Sequence, residues 1–155
     1  MQDFVDQMDE DTARIGIVAF ADQVREVLPL TGDFGRVRQV ISGLAEVDVG
    51  VCNEAQPFTA AYGMLRKRES DVRYIVVLTD GCWSNISYAV DAAERCHRSE
   101  MEVMALGFGS ADYDFLKKIA STDDFAALTD LSQLGSTFSK IAQAIGEGSA
   151  GLSVL

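Results

Sequence analysis

No disulfide framework is legible in this sequence. Its three cysteines, Cys52, Cys82 and Cys96, are odd in number and have no C-x-x-C spacing, which argues against a disulfide-stapled scaffold and against a cysteine-based zinc site. A reducing, cytoplasmic compartment is the expected home. Positive charge is also in deficit: 13 Lys and Arg against 24 Asp and Glu leave a net charge of -11. Such a surface repels phosphate backbones and anionic lipids, so neither nucleic acid nor a membrane surface is an expected partner. Neutral or basic proteins fit better. No apolar run approaches the length of a membrane span, and no signal peptide opens the sequence. Histidine occurs once, at His97, and no Ser–His–acid triad can be read around it.

What is present is enough for one real core. At 155 residues, 48% of them hydrophobic, the expectation is a single domain over residues 1–147 with a flexible glycine-bearing tail over 148–155. Met1, Phe4, Val5 and Met8 recur at helical spacing. Arg14 to Ala21 reads as a strand, Asp22-Gln23 as a tight turn and Val24 to Leu28 as a second, antiparallel strand, ended by Pro29 and Thr31-Gly32. Asp33 is placed to cap a helix with apolar positions Phe34, Val37, Ile41 and Leu44. A surface loop over 45–57 precedes a helix marked by Phe58, Ala61, Tyr62 and Leu65. The basic run Arg66 to Arg68 reads as the solvated end of that helix, where cations complement the dipole. Further on, Ala89 to Cys96 gives a helix with a small-residue face, on which Cys96 acts as a small hydrophobe. Val103 to Leu106 is a strand, Asp112 starts a helix, Phe125 to Leu128 is a short strand, and Leu134 to Ile145 a last helix. This alternation predicts an α/β fold: a doubly wound, mostly parallel sheet with one antiparallel edge strand and helices on both faces.

The functional address is the stretch YIVVLTDGCWSN, Tyr74 to Asn85. Tyr74 to Leu78 is a continuous apolar run, the pattern of a strand buried on both faces. Thr79, Asp80 and Gly81 follow at its carboxyl end, where open α/β sheets place their ligand sites. A plain turn is the competing account, with Asp80 accepting local N–H groups and Gly81 supplying positive φ. Trp83 is expected on the rim of the crevice as an interface anchor, with a half-buried staple as the alternative. GFGSAD, after the next strand, lacks the third glycine of a dinucleotide loop.

The blocks RIGIVAFADQVREVLPLTGD, YIVVLTDG, MEVMALGFGSADYDFLKKIAS and TDLSQLGSTFSKIAQAI resemble, in order and spacing, the von Willebrand factor A domain family over almost the whole chain. The resemblance implies a Rossmann-like sheet with Val24 to Leu28 as its antiparallel edge strand. It also implies a metal-ion-dependent adhesion site that holds magnesium and a role in binding another protein. The family's Asp-x-Ser-x-Ser motif is absent, together with the strand that precedes it. Asp80 matches the family's Thr-Asp-Gly acid, and Asn53 is taken for the remaining ligand position ahead of Thr59. As metal ligands Asp80 and Asn53 serve only if an upstream motif is supplied, so this chain is expected to carry no cofactor and an incomplete site.

The missing strand belongs at the sheet's centre, between Arg14–Ala21 and Tyr74–Leu78. Either those two strands close together, or another chain donates a strand, or the residues are an excerpt of a longer protein whose upstream segment provides it. Met1–Met8, read as the end of the helix after the motif, favours the excerpt. The expected function is therefore a non-enzymatic protein-binding module whose partner meets Asp80, Cys82, Trp83 and Asn53. The alternative is an α/β enzyme, a hydrolase or nucleotide-binding domain.

Overall fold

Local chemistry sets most element boundaries in the computed structural model, which describes residues 2–68 and 72–146. Asp33, Asn85 and Asp112 start helices by accepting the backbone N–H of Arg36, Tyr88 and Phe115, at 3.0, 3.4 and 3.2 Å. The order is α1 (Gln2–Asp6), β1 (Ile15–Phe20), β2 (Val24–Thr31), α2 (Phe34–Gly43), α3 (Phe58–Leu65), β3 (Arg73–Thr79), α4 (Ile86–Arg98), β4 (Met101–Gly107), α5 (Tyr113–Ile119), β5 (Ala126–Leu128) and α6 (Leu134–Gly146). The fold class is mixed α/β, as the alternation of periods predicts. The expected boundary at 147 and the tail beyond it lie outside the described residues.

The strands form two separate sheets. β3, β4 and β5 pair in parallel, while β1 and β2 form an antiparallel pair of their own. β1 and β3 do not pair, so the first of the three ways to fill the centre, closure of the two strands on each other, is not what the chain does. The β2 strand also runs on through Pro29 to Thr31, past the expected end at Leu28. Proline is tolerated there because it is exposed and β2 pairs only with β1, leaving its other side without a ladder to break.

Helices cover both faces. Register pairs Ile75 with Val103 and Val77 with Ala105, on the face that meets α4 and α5, and Val76 with Met104 on the face that meets α6. The expectation that β3 is buried on both faces needs correction. Ile75 and Val77 are buried, but Tyr74, Val76 and Leu78 on the other face are only half-buried. The core divides in the same way, into a large cluster around β3, β4 and β5 and a small one around Val5, Leu28, Phe34 and Val37. Phe4 of α1 packs partly against both, with its ring 5.9 Å from that of Phe138.

Candidate binding site at the carboxyl edge of the sheet

The carboxyl ends of β1, β3 and β4 meet at one edge around a single side chain. Trp83 donates from Nε1 to the Thr79 hydroxyl at 2.9 Å, and its ring lies 5.0 Å from Phe20, 6.1 Å from Phe58 and 5.1 Å from Phe115. It is 4% exposed. The expectation of a rim tryptophan is therefore corrected: three aromatic rings from three elements close over it, and its one polar atom finds a buried partner. Trp83 forms the floor of the site and ties β1 to β3 at this end.

Above that floor lies the loop between α2 and α3. The Asp22 carboxylate accepts from the backbone N–H groups of Val51 and Cys52, at 3.1 and 2.9 Å. The carbonyl of Ala21 accepts from Glu54 and Ala55 at 3.1 and 2.9 Å, and that of Val49 accepts from Asp22 and Gln23 at 2.9 and 3.0 Å. Gly50, at φ +91, lets the loop pass where a Cβ would collide with the Asp22 carboxylate. The loop is thus annealed to the β1–β2 turn. Its tip leaves Val51 96% exposed. Neither Val51 nor Asp22 stands out in the sequence, because Asp22-Gln23 reads as an ordinary turn and a lone valine in a loop carries no pattern.

Asn53 then crosses to the β3 side. Its carbonyl accepts from Ser84 N–H at 2.9 Å and its amide Nδ2 donates to the Cys82 carbonyl at 3.3 Å. That amide packs where a Cβ on Gly81 would sit, 2.8 Å away, so Gly81 is required for close approach. The plain-turn account fails on both counts. Gly81 is not at positive φ, and the Asp80 carboxylate accepts no hydrogen bond among the described residues. Asn53 thus meets the backbone of Cys82, two residues on from Asp80, and Asp80 and Cys82 are exposed. Thr59 is drawn away: its hydroxyl accepts from Gln56 Nε2 at 2.7 Å at the start of α3.

The GFGSAD loop closes the other side. Phe108 N–H donates to the Thr79 carbonyl at 3.0 Å, and Ser110 donates to the Asp80 carbonyl from both N–H and hydroxyl, each at 3.1 Å. Gly109, at φ +62, would bring a Cβ to 3.1 Å of the same carbonyl. Two of the loop's N–H groups thus serve the end of β3 and are not aimed outward at a phosphate. Elsewhere, Cys96 is buried, and burial pushes its thiol up to about 11. His97 Nε2 sits 3.1 Å from the Ile119 carbonyl. Cys96 Sγ lies 3.8 Å from the Phe58 carbonyl.

The pattern known as the von Willebrand factor type A domain matches residues 1–140. The chain belongs to that family. Among solved structures, the vWF domain of the type V pili tip protein Mfa5 from Porphyromonas gingivalis is similar with a TM-score of 0.80 at 12% identity, covering 99% of this chain and 88% of that one. Proximal thread matrix protein 1 from the mussel byssus, with a zinc-occupied MIDAS motif, gives 0.75 at 20% identity, covering 92% of this chain and 38% of that one. Manganese-loaded TRAP protein of Plasmodium vivax gives 0.69 at 16%, covering 89% and 63%. Comparison with curated proteins finds no match. At these identities the likeness carries the fold alone.

A divalent ion, which this family's resemblance brings with it, does not fit the residues present. The Asp80 carboxylate is the one anionic side chain among Asp80, Cys82 and Asn53, the Thr79 hydroxyl is engaged by Trp83, and the Asn53 amide is turned to Cys82. Among the described residues no group of three His, Cys, Asp or Glu side chains is gathered to hold a metal. Mg²⁺ asks for a nearly octahedral shell of oxygens.

Proposed function

We propose that this von Willebrand factor type A domain is a non-enzymatic protein-binding module that takes its partner at the carboxyl edge of the sheet. Asp80, Cys82 and Asn53 provide the polar contacts and Val51 an apolar one, with Trp83 beneath them as support. One observation carries the reading: the Asp22 carboxylate pins the Val51–Cys52 backbone, which presents a 96% exposed valine on an ordered loop beside the unengaged carboxylate of Asp80. A loop held in place in advance loses little entropy on docking. The similar structures include a pili tip protein and a thread matrix protein, which accords with a role in contact rather than turnover. With a net charge of -11, the partner's docking face is neutral or basic, and a lysine, arginine or amide of that face meets Asp80 directly.

Photo-crosslinking in the native cell tests this. A crosslinker at Val51 is compared with one at Val72, which is 77% exposed just before β3 at the opposite edge. Partners captured only from Val51 are purified and titrated against the chain. Asp80→Ala is expected to weaken binding by about tenfold, or roughly 1.4 kcal/mol. Equal capture from both edges, or a partner whose affinity ignores both Asp80→Ala and Val51→Ala, would overturn the proposal.

A further inference from the structure

We infer that the opposite, amino edge of the sheet carries an anion site in which Arg66, Arg73 and Arg95, with the hydroxyls of Tyr62 and Ser99, take the phosphate group of a small phosphate monoester. This site shares no residue with the carboxyl edge and stands whether or not a protein docks there.

Arg73 is the first observation. It opens β3 on the face that also carries Ile75 and Val77, and it is only 8% exposed. Its Nη2 donates to the Ser99 carbonyl at 2.6 Å, where α4 ends. Its Nε is buried and has no partner among the described residues. No carboxylate among those residues pairs with this guanidinium. A cation taken out of water needs an opposite charge or a full set of acceptors, and one carbonyl supplies neither.

The second observation is what surrounds it. Arg95 Cζ lies 4.3 Å from the centroid of the Tyr62 ring, a cation–π contact that leaves guanidinium N–H groups for an acceptor. Hydrogen bonds with Ser99 and then with Arg95, together with the charges of Arg95 and Arg66, hold the Tyr62 phenol below its ordinary range. Ser99 therefore joins Tyr62 to Arg73 in one patch. Neither Arg66 nor Arg95 has an ion pair among the described residues, in a chain with 24 acids against 13 bases, and the neighbouring Glu94 pairs with Arg98 at 3.5 Å.

Cations at helix C-termini are ordinary, and Arg66 caps α3 while Arg95 lies in the last turn of α4. The charges do not balance on that account. Each helix end presents about half a negative charge, so two ends offset about one of the three guanidinium charges and leave about two. A phosphate monoester carries about -1.5 to -2 at neutral pH and offers three oxygens, enough to meet each arginine. A carboxylate brings about half that charge on two oxygens. Polyanions such as nucleic acid meet the repulsion of a net charge of -11, so a small carrier fits.

The test titrates the isotope-labelled full chain with phenyl phosphate at physiological ionic strength, where exposed charges are screened beyond about 8 Å, and follows the amide resonances of Arg73 and Ser99. Saturable shifts are expected at these two amides. Affinity should fall about tenfold in Arg95→Gln and in Arg66→Gln, both exposed positions that leave the fold intact, and should hold in Arg25→Gln, an exposed arginine of β2. Arg73→Lys keeps the charge but loses the planar fork, and should weaken binding as well. Absent shifts, or an affinity that ignores Arg66→Gln and Arg95→Gln, overturn the proposal. Equal affinity for acetate, or tighter binding of inorganic phosphate than of the monoester, overturns the assignment of the ligand. Binding that appears only in a Glu69→Gln/Asp71→Asn chain would mean that the protein's own acids occupy the site, which also refutes it.

Discussion

Replacing Trp83 by phenylalanine removes one specific atom from a crowded place. The phenyl ring keeps contact with Phe20, Phe58 and Phe115, but the Nε1 donor is lost and the Thr79 hydroxyl, in a residue only 5% exposed, is left without its 2.9 Å partner. An unsatisfied buried hydroxyl costs about 1–3 kcal/mol, and the smaller ring leaves a void that adds to it. The expected loss is roughly 2–3 kcal/mol, a drop in melting temperature of about 4–12 °C for a domain of this size. Thr79→Val strands the indole N–H in the same way. The double variant removes both partners, so its cost should fall short of the summed single costs by about 1–2 kcal/mol. Because Trp83 is the only tryptophan, unfolding is followed by far-ultraviolet circular dichroism in urea. In the parent, iodide should quench its fluorescence poorly. Additive single costs, or quenching like that of free indole, would show that Trp83 does not sit on Thr79 beneath the site.

Gly50→Ala forces a side chain into a φ of +91 and against the Asp22 carboxylate, so the loop should detach from the β1–β2 turn at a cost of about 1–2 kcal/mol. Faster exchange of the Val51 and Cys52 amides checks this, and an unchanged pattern refutes it. In the folded chain iodoacetamide should label Cys52 and Cys82, which are exposed, and spare Cys96, which is buried with its thiol pushed up to about 11. Below that value Cys96 stays protonated in the fold, so its labelling should appear only with unfolding; labelling of all three at one rate under native conditions would contradict the packing. Millimolar Mg²⁺ should leave the melting temperature in place. A site at a hundred times its dissociation constant would add about 2.7 kcal/mol, or roughly 5–11 °C, and a saturable rise of that size, lost in Asp80→Ala, would show a set of oxygens other than those described.

Sequence alone determined the order and kind of nearly every element, because caps such as Asp33 and Asp112 and apolar periods such as Phe34, Val37 and Ile41 act through neighbours a few residues away. It also located Asp80 and Cys82 just past the end of a strand, since strand ends and the loops after them follow from the alternation of the fold, whereas Asn53 came from the family resemblance alone. What it could not decide depends on distant partners. Trp83 reads as an anchor until Phe20, Phe58 and Phe115, none of them near it in sequence, are seen to close over it. Pro29 reads as a strand end until β2 is found to pair with β1 alone. The work of Asp22 appears only when the loop at Val51 and Cys52 folds back onto it, 29 and 30 residues later. The division of the strands into two sheets is the clearest case. Each of β1 and β3 is a good apolar strand by its own residues, and whether an edge has a partner is a property of the assembled sheet.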